Sequence, residues 1–145
     1  MSISQPRLRK RGDHKVLKIL ACDIGLARVG LAISDETATI AQPLTCVSRD
    51  NAISRIQEIA EKEKIERLVI GLPLLESGEE GSQAEDVKAF AFELEKTLSL
   101  PIEFENEYLS SIEAKRRLEN KKYIKEDIDI MAATIILENY LENNR

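Results

Sequence analysis

The sequence has few of the residues that bind zinc or form catalytic triads: two cysteines and one histidine among 145 residues. Cys22 and Cys46 are isolated, without a Cys-x-x-Cys pair, so a cage of zinc ligands is excluded and a reducing compartment is expected. The histidine, His14, lies in a basic N-terminal stretch, which leaves the folded body without a Ser-His-Asp or Cys-His triad. A Gly-x-x-x-x-Gly-Lys-Ser/Thr motif is also missing, which excludes a P-loop nucleotide site.

Long apolar runs are missing as well. No segment approaches the roughly 18 consecutive apolar residues of a membrane span. Residues 1–18 are charged and lack the apolar centre of a signal peptide, so we expect a cytoplasmic protein. With 43% hydrophobic and 32% charged residues, the chain has the composition of one folded domain with a charged surface.

The charge is distributed unevenly along the chain. Residues 1–18 carry a net charge of +5, whereas residues 19–145 carry −10. An acidic body repels a nucleic acid over most of its surface, so a polyanionic partner would need positive charge from the N-terminal arm or from bound cations. We interpret residues 1–15 as a basic, disordered arm and residues 16–145 as the folded domain.

Hydrophobic periodicity and turn signals predict five strands and four helices. The strands are expected near residues 16–22, 28–34, 44–47, 67–70 and 102–106. The helices are expected from Ser48 or Asp50 to Ala60, and over 82–98, 110–120 and 126–143, with capping-box spacing at Ser82/Glu85 and Ser110/Glu113. The resulting order, βββαβαβαα, describes an α/β fold with a five-stranded mixed sheet flanked by helices.

Three acidic residues stand at the ends of these elements. Asp23 ends the first strand, Glu107 follows the fifth, and Asp129 lies in the first turn of the mostly apolar last helix. Because ligands gather outside the carboxyl ends of strands in an open sheet, we expect these carboxylates to converge there. Grouped carboxylates raise one another's pKa unless a cation compensates them, and such oxygen ligands suit Mg²⁺ or Mn²⁺. Two such ions would support in-line phosphoryl displacement.

Each acid also has an ordinary structural interpretation. Asp23 suits a turn, Glu107 the surface and Asp129 a helix cap, and spacing alone leaves both interpretations open. The Asp-x-Gly pattern at Asp23 and Gly25 also occurs in the phosphate-binding hairpins of sugar kinases and actin-like ATPases. A phosphotransferase of that kind is disfavoured, because one short domain lacks the second lobe needed to close over ATP.

Five motifs occur in order along the chain: Asp23-x-Gly25-x-x-Arg28-x-Gly30-x-Ala32-x-Ser34-Asp35, Ala41-x-Pro43-Leu44, Val69-Ile70-Gly71-Leu72-Pro73-Leu74, Glu107-x-Leu109-Ser110-Ser111-x-x-Ala114 and Ile128-Asp129-x-x-Ala132-Ala133-x-x-Ile136-Leu137-x-x-Tyr140-Leu141. Together they cover about residues 17–142 and resemble the YqgF family of Holliday-junction-resolvase-like nucleases. A role in maturing the small-subunit ribosomal RNA precursor is assigned to that family.

The resemblance implies a ribonuclease H-like fold and a cytoplasmic, metal-dependent nuclease, with the 5′ end of pre-16S rRNA as the first candidate substrate. It implies that Asp23, Glu107 and Asp129 are the catalytic acids that hold Mg²⁺ or Mn²⁺, with Arg28 beside them. We expect Arg28 to contact a substrate phosphate, and Ser111 either to donate to a phosphate or to cap its helix.

The sequence departs from the family pattern next to Glu107. Asn106 and Tyr108 stand where the family has Asp and Arg. Because Tyr108 supplies no charge at neutral pH, we expect the change to weaken substrate binding more than metal binding. A non-catalytic nucleic-acid or ribosome-assembly factor is therefore one alternative, and a Holliday junction resolvase is another. A monomer and a homodimer are both open.

Overall fold

The computed structural model describes residues 17–107 and 110–144, and its elements follow the predicted order βββαβαβαα. The strands are β1 (Lys18–Ile24), β2 (Arg28–Ser34), β3 (Ala41–Ser48), β4 (Ile65–Leu72) and β5 (Ile102–Asn106). The helices are α1 (Ala52–Glu63), α2 (Ser82–Leu98), α3 (Ser110–Leu118) and α4 (Lys125–Asn143), and a short 3-10 helix (Arg49–Asn51) precedes α1. The predicted arm, residues 1–15, and Tyr108 lie outside the described residues.

The strands form one mixed sheet in the order β3-β2-β1-β4-β5. β2 runs antiparallel to β1 and β3, whereas β4 runs parallel to β1 on one side and to β5 on the other. The parallel strands β1, β4 and β5 therefore present their carboxyl ends at one edge of the sheet, where ligands of open α/β sheets gather. The predicted class, a five-stranded mixed sheet flanked by helices, is confirmed.

Alternate residues of the central strand β1 face two different hydrophobic layers. Leu20 and Cys22 belong to the cluster shared with α1 and α2, whereas Ile19 and Ala21 belong to the cluster shared with α4. Because residues two apart on a strand share a face, Asp23 lies on the α4 side of the sheet. α4 covers that side with a continuous run of buried residues, as its apolar sequence predicts.

Within the described ranges, no helix is long and apolar enough to cross a membrane.

A buried polar cluster fixes the C-terminal half of α4 to the sheet. The almost fully buried guanidinium of Arg67 donates from Nη1 to Glu103 Oε2 at 2.6 Å and to the Tyr140 hydroxyl at 2.8 Å. The Tyr140 hydroxyl in turn donates to Glu103. Because breaking a buried ion pair leaves a charge uncompensated, this cluster holds α4 in one position over β4 and β5. That position decides where the acidic residue near the other end of α4 lies.

One helix start, one cap and one position within a helix differ from the predictions. α1 begins after the 3-10 helix rather than at Ser48 or Asp50, and no side chain caps it. α2 begins at Ser82, but its N-cap is Gly81, so the capping box predicted there is wrong. Asp129 is the fifth residue of α4 and lies just past the first turn. A cap depends on the dihedral angles at which the chain enters the helix, and the spacing of polar residues does not determine them.

Candidate active site

Asp23 lies beside the start of α4 because Gly30 has no side chain. Asp23 is the last residue but one of β1 and pairs with Gly30 across the β1–β2 hairpin. A Cβ built on Gly30 would lie 2.0 Å from the backbone oxygen of Asp129, so a glycine is required for the helix to approach the sheet this closely. The hairpin thereby brings the backbone of Asp129 next to the strand that carries Asp23.

Glu107 reaches the same edge of the sheet from β5. Its backbone N–H donates to the Leu72 carbonyl oxygen at 3.2 Å, which continues the pairing with β4 past the end of the strand. A Cβ built on Gly71 would lie 2.9 Å from Glu107 Oε2, so the glycine leaves space for the carboxyl group above β4. The carboxyl groups of Glu107 and Asp23 share a hydrogen bond there. No local pattern in the sequence predicts this role of Gly71.

Burial makes this pair of acids hard to ionise. Together with the charge of Asp23 and the hydrogen bond to it, burial raises the pKa of Glu107 to about 9. Burial also raises the pKa of Asp23, to about 6, against a lowering by the hydrogen bond from Glu107, while the nearby Asp129 charge raises it. At neutral pH the two carboxyl groups therefore retain a shared proton in the absence of a compensating cation.

Asp129, the third acid, is paired with an arginine. Arg28 Nε donates to Asp129 Oδ2 at 2.6 Å, and both side chains are partly exposed, at 34% and 21%. Hydrogen bonding to Asp129 raises the pKa of Arg28 above its ordinary value, so the guanidinium stays charged. The guanidinium of Arg28 thus lies on one of the three carboxylates, that of Asp129, and its predicted contact with a substrate phosphate stays a prediction.

Cys46 is a neighbour of the site that the sequence analysis missed. Cys46 lies on β3, where it pairs with Gly30 of β2, and its Sγ lies 3.9 Å from Asp129 Oδ2. Burial, with the Asp129 charge, raises the pKa of Cys46 to about 11, so it is a protonated thiol. The signal that would have found it is the β2–β3 register, which the sequence does not display.

Ser111 lies in the first turn of α3 and is exposed. The preceding Ser110 is buried, and its N–H donates to the Glu107 carbonyl oxygen at 2.8 Å. The Ser110 hydroxyl makes no hydrogen bond among the described residues. The start of α3 is thereby attached to Glu107, which places Ser111 on the outer surface near that acid.

The donor set fits a hard divalent cation in its chemistry. Carboxylate oxygens are the ligands that Mg²⁺ and Mn²⁺ prefer, and a cation would relieve the repulsion that holds a proton on the Asp23–Glu107 pair. Within residues 17–107 and 110–144, however, no three Asp, Glu, His or Cys side chains are grouped closely enough to enclose a metal ion. Asp23 and Glu107 are in contact, while Asp129 is held by Arg28. The assignment of all three as metal ligands stays a prediction.

A sheet in this order, with α4 on one face and α1 and α2 on the other, is a ribonuclease H-like fold. The chain belongs to the RuvX family, described as Holliday junction resolvase, whose family model matches residues 17–143. The family predicted from the sequence motifs is therefore confirmed.

Curated relatives match nearly the whole chain. A protein of Chloroflexus aurantiacus is 43% identical over 134 residues, which cover 88% of both chains. A protein of a Synechocystis species is 39% identical over 138 residues, which cover 90% of this chain and 91% of the relative. Both carry the name "Putative pre-16S rRNA nuclease".

Among solved structures, Thermus thermophilus RuvC in complex with a Holliday junction substrate matches with a TM-score of 0.58. The match covers 88% of this chain and 96% of RuvC at 10% sequence identity. At this identity the likeness concerns the fold, which agrees with the ribonuclease H-like assignment.

Proposed function

We propose that the protein is a metal-dependent nuclease that hydrolyses phosphodiester bonds at the 5′ end of pre-16S rRNA. The observation that carries the proposal is the contact between Asp23 and Glu107 at the carboxyl ends of parallel strands, with Asp129 and Arg28 beside them. Two relatives at 39% and 43% identity named as pre-16S rRNA nucleases support the substrate. A role in ribosome biogenesis would place the protein in the cytoplasm.

Asp23, Glu107 and Asp129 would hold Mg²⁺ or Mn²⁺. When bound, such a cation supplies positive charge that acidifies a water molecule and stabilises charge developing on the phosphoryl oxygens. The acids contribute oxygen ligands from β1, from the end of β5 and from α4, three elements whose relative positions are fixed by the sheet and the α4 packing. Glu107 must lose its proton to serve as a ligand, so metal binding would release protons.

Arg28 would change partners during the reaction. In this structure its guanidinium compensates Asp129, and if a cation were held by Asp129 the guanidinium would be available to a phosphate of the bound strand. Its partial exposure makes it accessible to such a phosphate. Ser111, on the exposed surface of α3 after Glu107, would donate its hydroxyl to a flanking phosphate.

The proposal is tested by cleavage of a labelled panel: a precursor rRNA fragment spanning the mature 5′ end, an unrelated single strand and a four-way DNA junction. We expect cutting of the precursor with Mn²⁺ or Mg²⁺ and none with EDTA. Asp129→Asn should abolish cutting, whereas Asp50→Asn, which removes an exposed carboxylate from the 3-10 helix, should not. Metal-independent cutting, or full activity of Asp129→Asn, would reject the proposed site.

A four-way junction is the second candidate substrate, since the family description reads Holliday junction resolvase. Cutting of the junction alone would replace the rRNA assignment and leave the acids in their proposed roles. Binding of the precursor without cutting of any substrate in the panel would favour the non-catalytic assembly factor.

A further inference from the structure

The connection between α3 and α4 exposes a group of cationic and apolar side chains: Lys121, Lys122, Tyr123, Ile124 and Lys125, which we call the connecting surface. Tyr123 and Ile124 are 43% and 62% exposed, so neither belongs to the hydrophobic core. The three lysines are exposed and form no salt bridge with another described residue. The fold thus makes no visible use of these side chains.

The backbone beneath the connecting surface is held at both ends. The Lys121 N–H donates to the Leu118 carbonyl oxygen at 3.0 Å, next to Asn120 in the left-handed conformation. The Ile124 N–H donates to Asp127 Oδ2 at 3.0 Å, which fixes the start of α4. The side chains therefore project from a defined turn rather than from a loose loop.

The connecting surface ends at Lys125, which lies near Asp129. Lys125 precedes Asp129 by four residues on α4, which places it on the same side of the helix and about 6 Å away along the axis. A lysine as the first residue of a helix opposes the helix dipole, so it weakens rather than supports the helix there. Exposed and without a salt bridge to another described residue, Lys125 is available to a ligand that approaches Asp129.

The charge of the connecting surface contrasts with the rest of the protein. Residues 115–125, which end in this turn, carry a net charge of +5, and Glu126 and Asp127 follow them directly, while residues 19–145 as a whole carry −10. A polyanion is repelled by most of this body and attracted to this turn. Proteins bind single-stranded nucleic acid with cationic side chains placed along its sugar-phosphate backbone and aromatic side chains that stack on its bases.

We propose that an unpaired strand flanking the scissile bond lies across the connecting surface. Lys121, Lys122 and Lys125 contact its phosphates, and Tyr123 stacks on one of its bases. A duplex offers Tyr123 no free base face to stack on, because the bases of a duplex are already stacked on one another. The inference rests on the proposed nuclease, since it assigns the path of the strand that the acids cut.

The test measures binding of the full-length protein, in EDTA so that nothing is cut, to a short fluorescein-labelled RNA single strand of mixed sequence. The matching DNA strand and the RNA duplex are measured beside it. Lys121→Gln/Lys122→Gln should flatten the slope of log affinity against log salt by about 1.4, at about 0.7 for each lost phosphate contact on a single strand. Lys62→Gln/Lys64→Gln, an equal charge change on exposed residues at the end of α1, should leave the slope unchanged.

Tyr123→Ala should weaken single-strand binding about 5- to 150-fold, which corresponds to the loss of one stacked base. Tyr123→Phe keeps the aromatic face and should bind as wild type does, and duplex binding should be unaffected by either change. RNA and DNA strands both offer phosphates and base faces. The more tightly bound of the two strands therefore shows which nucleic acid the connecting surface prefers.

The proposal is overturned if wild type binds neither single strand, or if both connecting-surface variants bind as the Lys62/Lys64 control does. Cleavage of the precursor RNA with Mn²⁺ is measured separately on the same proteins. Wild type that binds with the expected dependences but cuts nothing would refute the nuclease and keep the surface. Wild type that cuts, with connecting-surface variants that bind and cut as well as it does, would keep the nuclease and refute the surface.

Discussion

Arg28 Nε and Asp129 Oδ2 lie 2.6 Å apart and join β2 to α4 across 101 positions of the sequence. The pair places a cation of the protein itself on one of the three carboxylates proposed to hold a metal. Asp23 and Glu107 have no such cation beside them among residues 17–107 and 110–144, and their raised pKa values favour one proton retained on the pair at neutral pH. The metal-free site is therefore compensated in two different ways, by an arginine at Asp129 and by protonation at the other two acids.

Replacing Arg28 should separate metal binding from catalysis. Arg28→Gln removes a cation that competes for Asp129, so Mn²⁺ should bind up to about fivefold more tightly, in line with the roughly 1 kcal/mol of a partly exposed ion pair. Cleavage should fall about tenfold or more, because a charge-assisted phosphate contact of about 1.5–3 kcal/mol is lost. Calorimetric titration with Mn²⁺ and cleavage rates measure the two effects.

Arg55→Gln is the matched control for Arg28→Gln, since it removes an exposed, ion-paired arginine from α1 on the other face of the sheet. Arg55→Gln should change neither the affinity for Mn²⁺ nor the cleavage rate. Weaker Mn²⁺ binding by Arg28→Gln would show that the guanidinium supports the metal site rather than competing for it.

Divalent metal should stabilise the folded protein. A ligand that binds only the native state adds RT ln(1 + L/Kd) to the free energy of unfolding, with L the free metal concentration, or about 2.7 kcal/mol at a hundredfold excess over Kd. Asp23→Asn/Asp129→Asn should lose most of the increase in melting temperature caused by Mn²⁺, whereas Asp50→Asn should retain it. Equal Mn²⁺-induced shifts in wild type and the double variant would rule out the three-carboxylate site.

Two glycines should tolerate alanine to different degrees. Gly30→Ala places a Cβ against backbone atoms of α4, which cannot rotate away, and should lower the free energy of unfolding by about 1–3 kcal/mol or more. Gly71→Ala meets the ends of the Ile136 and Glu107 side chains, at 2.4 and 2.9 Å, and should cost less stability but weaken Mn²⁺ binding by displacing Glu107. Urea unfolding and Mn²⁺ titration distinguish the two, with Gly81→Ala as the control. Wild-type stability of Gly30→Ala would contradict the close approach of α4.

The metal-free protein should lose stability as the pH rises from about 5 to about 9. The folded-state pKa of Asp23, about 6, and that of Glu107, about 9, both lie above their ordinary values, so the folded state binds more protons than the unfolded state in this range. The free energy of unfolding therefore falls with rising pH. Urea midpoints in EDTA across this range measure the effect.

Glu107→Gln should flatten that pH dependence, and Glu58→Gln, an exposed carboxyl group on α1, should leave it unchanged. Mn²⁺ should restore stability most at the alkaline end, where the carboxyl groups are ionised ligands. Stability that rises over the range in wild type would show that the two acids are not buried together.

The order of the elements and the positions of the acids could be predicted from the sequence, because both depend on local patterns. Hydrophobic periodicity and turn residues act over a few positions, and they are enough to place Asp23 at the end of β1 and Glu107 just past β5. The motifs spaced along residues 17–142 were enough to predict the family, which the match over residues 17–143 confirms.

Tertiary structure alone decided which of these groups meet. Gly30 and Gly71 admit α4 and Glu107 to the face of the sheet, so the pairing of Glu107 with Asp23 and of Arg28 with Asp129 depends on how elements pack at a distance in sequence. The same holds for the position of Cys46, which follows from the β2–β3 register. Such contacts are set by the combined packing of the sheet and α4, and no local pattern encodes that packing.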